Sequence, residues 1–308
     1  MSRVHSALRL AVCSLLLGVV AACGAPEESE EAFQSLTDGA YLTADLWNDG
    51  QAEVAFYRVE RDFNQYGQPA EQSFVVGTYL VKHNFSVGQM TKATDRIAGE
   101  PAFKYGFFYE FESGSYQYKR HYVTNARQGD MRPFKQSFTS FDWCSNAYEE
   151  FAFHMTGAID YLKRSDDYGN EQARYVFQPR AFPAAQIPLL VRALDFGEQD
   201  AHTFTVLHPD GTFLPVTARL AGRDSVQLAM GTLPAERVRL TYSQRTPSPI
   251  AETVDSTETY WRGTGTARRL LQLESGSGSY RMELVEHLRS PYWEENLWPR
   301  LERIEERP

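Results

Sequence analysis

Short runs rich in Val, Tyr, Phe and Thr, separated by turn residues, recur along the chain from Leu46 onward. Apolar and polar residues alternate in residues 52–63 (AEVAFYRVERDF), and residues 72–85 (QSFVVGTYLVKHNF) follow as a second such run, with Gly77 as a candidate bulge. Alternation with a period of two is typical of strands that bury one face. The pattern predicts a mainly β protein built from antiparallel meander sheets, arranged as a sandwich or a half-barrel.

The densest aromatic region is a predicted hairpin with arms at residues 103–111 and 116–123 and the turn ESGS between them. Alternate positions place rings on one shared face, and seven of them are candidate ligand-binding residues: Phe103, Tyr105, Phe107, Tyr109, Tyr116, Tyr118 and Tyr122. Facing rows of rings are typical of a sheet core, and they would also form a platform for a lipid or a sugar ring. On the opposite face we expect a charged exterior containing Glu110, Glu112, Lys119 and His121.

Two segments depart from the β rhythm. Within residues 178–200, an apolar stretch centred on Leu190 predicts a short helix that begins near Pro183 and ends at Gly197. This helix is expected to join two antiparallel β halves, residues 40–178 and 179–308. The C-terminal residues 290–308 predict a short amphipathic helix broken at Pro299, with Trp293 and Leu297 capping the sheet.

The first 22 residues have the pattern of an export signal, because Arg3 and Arg9 lead into an apolar run that ends at Val20. That run is shorter than the roughly 20 residues of a membrane-spanning helix. Residues 20–23 (VAAC) resemble the bacterial lipobox. The resemblance implies lipid attachment to the sulfur of Cys23 and cleavage after Ala22, and the alternative is an ordinary secretory signal cleaved nearby.

A lipid on Cys23 would make the membrane the first expected partner, since several acyl chains on one residue anchor a protein stably. Residues 23–39 are rich in Glu, Ser and small side chains, which predicts a solvated acidic tether. The residue after Cys23 is Gly24 rather than Asp. By similarity to Gram-negative sorting rules, this favours an outer-membrane lipoprotein facing the periplasm.

The charge of the chain excludes one class of partner. Its net charge is −9, and loss of Arg3 and Arg9 with the signal would make it −11. Such a surface repels nucleic acid, and the sequence has no basic stripe that would offset the repulsion. The expected ligand is therefore a lipid, a glycan or an envelope protein.

Cys144 is the one cysteine that would keep a free thiol, because Cys13 leaves with the signal and Cys23 becomes a thioether. Asp142 would raise the pKa of this thiol, and Trp143 indicates an apolar setting. We therefore interpret Cys144 as a packed strand residue in the core. The alternative is a reactive thiol, with His154 ten residues further along.

Catalytic and metal-binding motifs are nearly absent from the sequence. Residues 262–266 (RGTGT) lack the Lys-Ser/Thr of a phosphate loop, and there is no Gly-x-Ser-x-Gly elbow. Asp166, Asp167 and Asn170 have the wrong spacing for a calcium loop. No metal or cofactor is expected, and the sequence favours non-catalytic binding. The alternative is a periplasmic hydrolase that acts on cell-wall or other glycans, with carboxylates brought together by the fold.

The order of elements in the second half resembles exported β-rich proteins of the DUF3108-like kind; the segments concerned are PLLVRALDF, MGTLPAERVRLTY and YWRGTGTARRLLQLESGSGSYRMELVE. Upstream, YLTADLWNDGQAEVAFYRV and DWC are similar to a broader set of uncharacterised bacterial lipoproteins, some of which carry the borrowed name septum formation inhibitor Maf. The Ser-x-Ser-Pro-Arg-Arg signature of genuine Maf pyrophosphatases is absent. The resemblance implies an exported, lipid-anchored β protein and no particular activity.

Overall fold

The computed structural model describes residues 33–65, 68–94, 98–247 and 254–306. The predicted signal (residues 1–22) and Cys23 lie outside the described residues. Within these ranges the chain forms one sheet, whose strands are β1 (Ala52–Gln65), β2 (Gln68–Ser86), β3 (Thr91–Lys92), β4 (Glu100–Ser113), β5 (Tyr116–Arg127), β6 (Pro133–Phe141), β7 (Asn146–Phe153), β8 (Ala158–Ser165), β9 (Glu171–Val176), β10 (Ala181–Pro183), β11 (Ala201–Leu207), β12 (Phe213–Leu228), β13 (Gly231–Pro247), β14 (Val254–Gly263), β15 (Leu270–Ser275) and β16 (Tyr280–Ser290).

The helices of the described chain are short. They are α1 (Gly39–Leu42), α2 (Ile187–Ala193) and α3 (Trp298–Glu305), with 3₁₀ turns at Asp45–Asn48 and Ala184–Gln186. In the part of the chain that the structure describes, no helix is long and apolar enough to cross a membrane.

The sheet is a meander of two blocks of strands, β1–β9 from the first half of the chain and β10–β16 from the second. Its order is β10-β11-β12-β13-β14-β15-β16-β1-β2-β4-β5-β6-β7-β8-β9, with β3 paired to β2. Neighbouring strands are antiparallel, except that β10 and β11 are parallel. The blocks meet where β1 pairs with β16, from Ala52 opposite Ser290 to Arg61 opposite Tyr280. The predicted mainly β, antiparallel meander architecture is confirmed.

The sheet curls so that one face, the inner face, encloses the main core. Residues from both blocks belong to one cluster, including Tyr57 of β1 and Leu240 of β13. The two ends of the sheet approach each other, since the ring of Tyr175 in β9 lies 6.3 Å from that of Phe213 in β12. No backbone pairing joins β9 to β10 within the described ranges, so the described sheet is a curled and open one.

The segment between β10 and β11 fills one end of this interior. The predicted helix is present but shorter than expected, because Pro183 belongs to β10 and α2 begins at Ile187. Every residue of α2 is buried, which explains why all but Arg192 are apolar, and Arg192 forms a buried ion pair with Glu53 at 2.8 Å. The Ala185 N–H donates to Oε1 of Gln136 at 3.0 Å at the start of this segment. At its end Nη1 of Arg262 lies 2.7–3.2 Å from the carbonyl oxygens of Val191, Arg192 and Leu194. Arg262 therefore satisfies the carbonyls that a helix leaves without partners at its C-terminus.

The predicted tether is wrong over its last seven residues. Phe33 and Leu36 are 0% and 1% exposed, and the Phe33 ring packs edge-on against Phe182 at 5.2 Å. Burial of these two large apolar side chains lowers the free energy of the folded protein, even though the residues around them in the sequence are acidic. Of the predicted tether, only residues 23–32 lie outside this packed part, and they are not among the described residues.

The C-terminal helix lies on the outer face of the sheet, opposite the core. Leu301 and Ile304 of α3 pack in a second cluster with Val54, Phe56 and Val75. The expected break at Pro299 is wrong, because this proline occupies the first turn of α3, where its missing N–H costs no hydrogen bond.

The capping residues predicted before this helix behave differently from each other. Leu297 is partly buried against the second cluster, as expected of a residue that covers the sheet. Trp293 is 53% exposed and does not cap it.

Candidate functional site

The aromatic hairpin forms as predicted, with Phe107 opposite Tyr122 and Ser113 opposite Tyr116. Five of the seven candidate rings are buried in the main core: Phe103, Tyr105, Phe107, Tyr109 and Tyr122. They stack on one another and on neighbours, for example Phe107 on Tyr122 at 4.7 Å. Tyr116 and Tyr118 are partly exposed near the turn. The structure thus places most of this face in the sheet core, and ligand binding by the seven rings stays a prediction.

A groove lies on the outer face, between α3 with its preceding loop and the strands β4, β5 and β6. Its volume is about 510 Å³, within the size range of sites for small ligands. The groove is built on the face for which the sequence predicted only a charged exterior, and it includes Glu110, Lys119 and His121.

Two glycine–aromatic pairs form the floor of the groove. Gly77 of β2 lies opposite Phe108 of β4, and Tyr79 lies opposite Gly106 in the same strand pair. A Cβ on either glycine would come within 3.0 Å of the ring opposite it. The missing side chains therefore let both rings lie flat across the neighbouring strand. Gly77 is paired in regular register, so the predicted bulge at this residue is wrong.

Aromatic side chains that are partly open to solvent form the walls. Trp298 of α3 is 56% exposed, and its ring lies 6.2 Å from that of Phe108. Phe141 lines the groove at the end of β6 and is 49% exposed. The ring of Tyr292 lies 5.2 Å from that of Tyr79. Exposed rings grouped around one depression are unusual on a protein surface and mark it as a candidate binding site.

The main polar groups of the groove already have partners inside the protein. Nε2 of His121 lies 3.0 Å from the hydroxyl of Tyr79. Burial and the nearby charge of Lys104 lower the pKa of His121, so its ring is neutral at pH 7. Glu110 accepts from Nζ of Lys119 at 2.9 Å and from Nε2 of Gln117 at 3.0 Å. What the groove offers a ligand is therefore chiefly ring surface, which suits an apolar chain.

Sequence reasoning missed this groove, although one signal was present. Both floor strands contain Gly-x-aromatic, as Gly77-Thr78-Tyr79 in β2 and Gly106-Phe107-Phe108 in β4. Glycines in strand interiors often mark a close approach by another group. Each glycine lies opposite the aromatic residue of the other strand, and this pairing register cannot be inferred from the sequence of either strand alone.

A second feature that the sequence did not reveal is a buried carboxylate in the core. Glu258 on β14 accepts hydrogen bonds from the hydroxyls of Tyr242 at 2.6 Å, of Tyr260 at 2.8 Å and of Tyr280. Burial raises the pKa of Glu258 although these three donors oppose the rise. All four residues are buried, so we assign the cluster a structural role.

Cys144 does not lie in the core, and the prediction of a packed strand residue is wrong. It is exposed, in the turn between β6 and β7. Asp142 causes this turn, because its carboxylate accepts from the backbone N–H of Cys144 at 2.7 Å and of Ser145 at 3.0 Å. Trp143 is 86% exposed and gives the thiol no apolar setting. His154 lies beyond the other end of β7 and pairs with Asp160.

The predicted acidic loop is the exposed turn between β8 and β9. Asp166, Asp167 and Asn170 are all exposed there, and Oδ2 of Asp166 accepts from the Asn146 N–H at 3.0 Å. Over the described ranges, no group of three or more His, Cys, Asp or Glu side chains is placed to hold a metal ion.

No protein-family model matches the sequence, and no curated protein matches it. The solved structures that match it do so at low sequence identity and low TM-score. A β-barrel-like protein of the domain of unknown function DUF1849 from Brucella abortus is 10% identical, with a TM-score of 0.48, over 77% of this chain and 97% of that one. A putative exported protein with a YmcC-like fold from Bacteroides fragilis is 7% identical, with a TM-score of 0.26, over 77% and 95%.

A third structure, of a DUF1329 family protein from Desulfovibrio piger, is 10% identical, with a TM-score of 0.20, over 87% of this chain and 98% of that one. The finer resemblance to DUF3108-like proteins stays a prediction. At these identities the functional argument rests on the groove.

Proposed function

We propose that this protein is a lipid-anchored protein of the cell envelope that binds an acyl chain in the groove between α3 and strands β4–β6, without catalysing a reaction. The observation that carries the proposal is the composition of the groove, whose floor and walls are aromatic rings, while the side chains of His121, Lys119 and Glu110 are engaged within the protein. Burial of an apolar chain against such rings is favourable at about 25 cal/mol per Å².

The groove is a more accessible binding site for a ligand than the interior of the sheet. The interior is occupied by α2 and its flanking residues, which are tied at both ends by side chains of β6 and β14. Opening the interior would require breaking these bonds, exposing the apolar side chains of α2 and separating the buried ion pair of Arg192 with Glu53. The groove is already open, and Trp298 and Phe141 already present their rings to solvent.

Membrane attachment rests on the sequence around Cys23. Lipidation there would hold the folded body at an outer-membrane surface facing the periplasm, within reach of envelope lipids. The proposal that the protein hydrolyses glycans is not favoured by any contact in the groove. Of its two carboxylates, Glu110 is held by Lys119 and Gln117, and Glu295 accepts from Oγ of Ser290 at 2.8 Å.

The test is photo-crosslinking of the full-length protein in isolated membranes with a diazirine analogue of palmitic acid. Crosslinked sites are mapped by peptide mass spectrometry, which separates groove peptides from any lipid on the N-terminus. We expect crosslinks in β4, β5 and α3. Trp298→Ala should lower them about tenfold, because it removes the largest ring of the groove wall.

Trp293→Ala is the matched control. Trp293 is 53% exposed against 56% for Trp298, stands five residues earlier in the chain, and does not line the groove. It should leave crosslinking unchanged. Equal losses in both variants, or crosslinks scattered over the surface, would refute acyl-chain binding in the groove.

A further inference from the structure

The groove does not end at its apolar rings. A second depression, of about 670 Å³, borders it at Glu110, which lines both. The two oxygens of this carboxylate mark the boundary, because one binds Lys119 on the groove side and the other binds Gln117 on the side of the second depression. A ligand seated in the groove could therefore extend past Glu110 without leaving the protein surface.

The lining of this second depression, which we call the polar depression, differs in chemistry from that of the groove. Its polar side chains are those of Arg58, Glu71, Gln72, Ser73, Glu112 and Gln117. The Gln72 amide is already held by Arg61 and by the carbonyl oxygen of Glu112. The hydroxyl of Ser73, the amide of Gln117 and the carboxylates of Glu71 and Glu112 still provide both donors and acceptors. Phe63, which is partly exposed, contributes a ring beside them, whereas Phe111 packs in the main core.

The charges of the polar depression discriminate between classes of head group. Glu110 is already paired with Lys119, and the remaining carboxylates, Glu71 and Glu112, outnumber Arg58, so an anionic phosphate or carboxylate head would be repelled. A sugar head carries no charge, and each of its hydroxyls both donates and accepts, which matches the mixed lining. Its ring can also lie against Phe63, which is partly exposed.

Resting on the proposed function, we infer that the ligand is a glycolipid, whose acyl chain occupies the groove and whose uncharged sugar head occupies the polar depression. Glu110 lies at the junction of chain and head. This assigns a ligand class to the site, and it makes the polar depression the part that determines specificity.

The test is competition with three compounds that share a dodecyl chain and differ in the head: dodecyl maltoside, dodecyl phosphate and dodecyltrimethylammonium. Each is added below its micelle concentration to membranes with the full-length protein, and loss of groove crosslinking by the diazirine palmitic acid is measured. We expect the maltoside to compete best. Gln117→Ala should reduce that advantage about threefold to tenfold, the effect of one or two neutral hydrogen bonds.

Gln89→Ala, a change at an exposed glutamine in the turn after β2, should leave the ranking unchanged. Comparison of variants in the same membranes cancels differences in how the three compounds partition into lipid. Equal competition by all three heads, or a preference for the phosphate or the ammonium head, would overturn the glycolipid inference and leave acyl-chain binding standing. Absence of groove crosslinks before any competitor is added would overturn the proposed function itself.

Discussion

At the scale of single residues, Glu258 shows how a core can hold a carboxyl group without a cation. Three tyrosine hydroxyls donate to it from β13, β14 and β16, so its hydrogen-bonding capacity is met by neutral partners. The pKa of Glu258 is nevertheless raised, because burial disfavours the ionised form more than the three donors favour it. The folded state therefore binds this proton more tightly than the unfolded state does.

Glu258 should make the protein less stable as pH rises. Below the unfolded-state pKa near 4.5, the carboxyl group is protonated in both the folded and the unfolded protein. Above that pH the unfolded protein releases the proton first, so the contribution of Glu258 to the free energy of unfolding falls as pH rises, until the folded-state pKa is passed. The loss is about 1.4 kcal/mol for each unit by which the pKa is raised. In Glu258→Gln this titration is absent, so the stability of the wild type relative to the variant should fall between pH 4 and pH 7.

The measurement is urea unfolding of both proteins across that pH range. Glu258→Gln should also be less stable overall by about 1–3 kcal/mol, because an amide cannot accept from all three hydroxyls as a carboxyl group does. Glu198→Gln, at an exposed loop position, serves as the control for a surface carboxylate. If the free energy of unfolding of the wild type rose with pH relative to that of Glu258→Gln, this result would contradict the raised pKa.

At the scale of elements, the β2–β4 pair supports the groove through its two glycines. Gly106→Ala should destabilise the protein by about 1–3 kcal/mol, because the new Cβ would overlap the ring of Tyr79. Displacement of that ring would also disturb its contact with His121 and lower groove crosslinking by the palmitic acid probe. Thermal unfolding and crosslinking of the variant measure the two effects.

Gly88→Ala is the matched change outside the groove. Gly88 has open space around its Cβ position and no positive φ, so this substitution should be neutral or stabilising by a few tenths of a kcal/mol. If Gly106→Ala changed stability and crosslinking as little as Gly88→Ala does, the groove would not depend on the packing of the Tyr79 ring against Gly106.

At the scale of the whole molecule, the curled sheet has two unlike ends. The end that holds Phe33 and α2 is filled by the chain itself. The other end carries the turns after β4, β6 and β8, with the exposed rings of Trp143 and Tyr168. Phe33, where the described chain begins, lies at the filled end, ten residues after Cys23. A lipid on Cys23 would therefore hold the filled end toward the membrane.

Cys23→Ser should release the protein from the membrane. Without the acyl chains the variant loses the attachment that the sequence around Cys23 predicts, so it should move into the soluble envelope fraction. Immunoblots of washed membranes and the intact mass of the N-terminal peptide provide the measurement. Cys144→Ser is the matched control and should stay in the membrane fraction, and retention of Cys23→Ser there would contradict lipid anchoring at this residue.

Much of the architecture follows from local pattern. The alternation in residues 52–63 and 72–85, the turn at ESGS and the apolar stretch around Leu190 each correspond to an element of the structure. These predictions succeed because strand faces, tight turns and buried helices are set by residues close together in the chain. Errors at Pro299, at Gly77 and over residues 33–39 concern contacts with distant partners, which local pattern does not contain.

The sequence by itself determined the strands, the helical interruption and the acidic surface. It also supplied the lipobox, on which the expectation of lipid anchoring at Cys23 depends. Only the tertiary structure decided that the two halves share one curled sheet, that α2 fills its interior, and that the face with His121 and Glu110 becomes a groove. The physical reason is long-range contact. Gly77 pairs with Phe108 across two strands, and Trp298 of α3 packs near Phe108, which is 190 residues earlier in the chain, on a face whose own sequence indicates only an exposed surface.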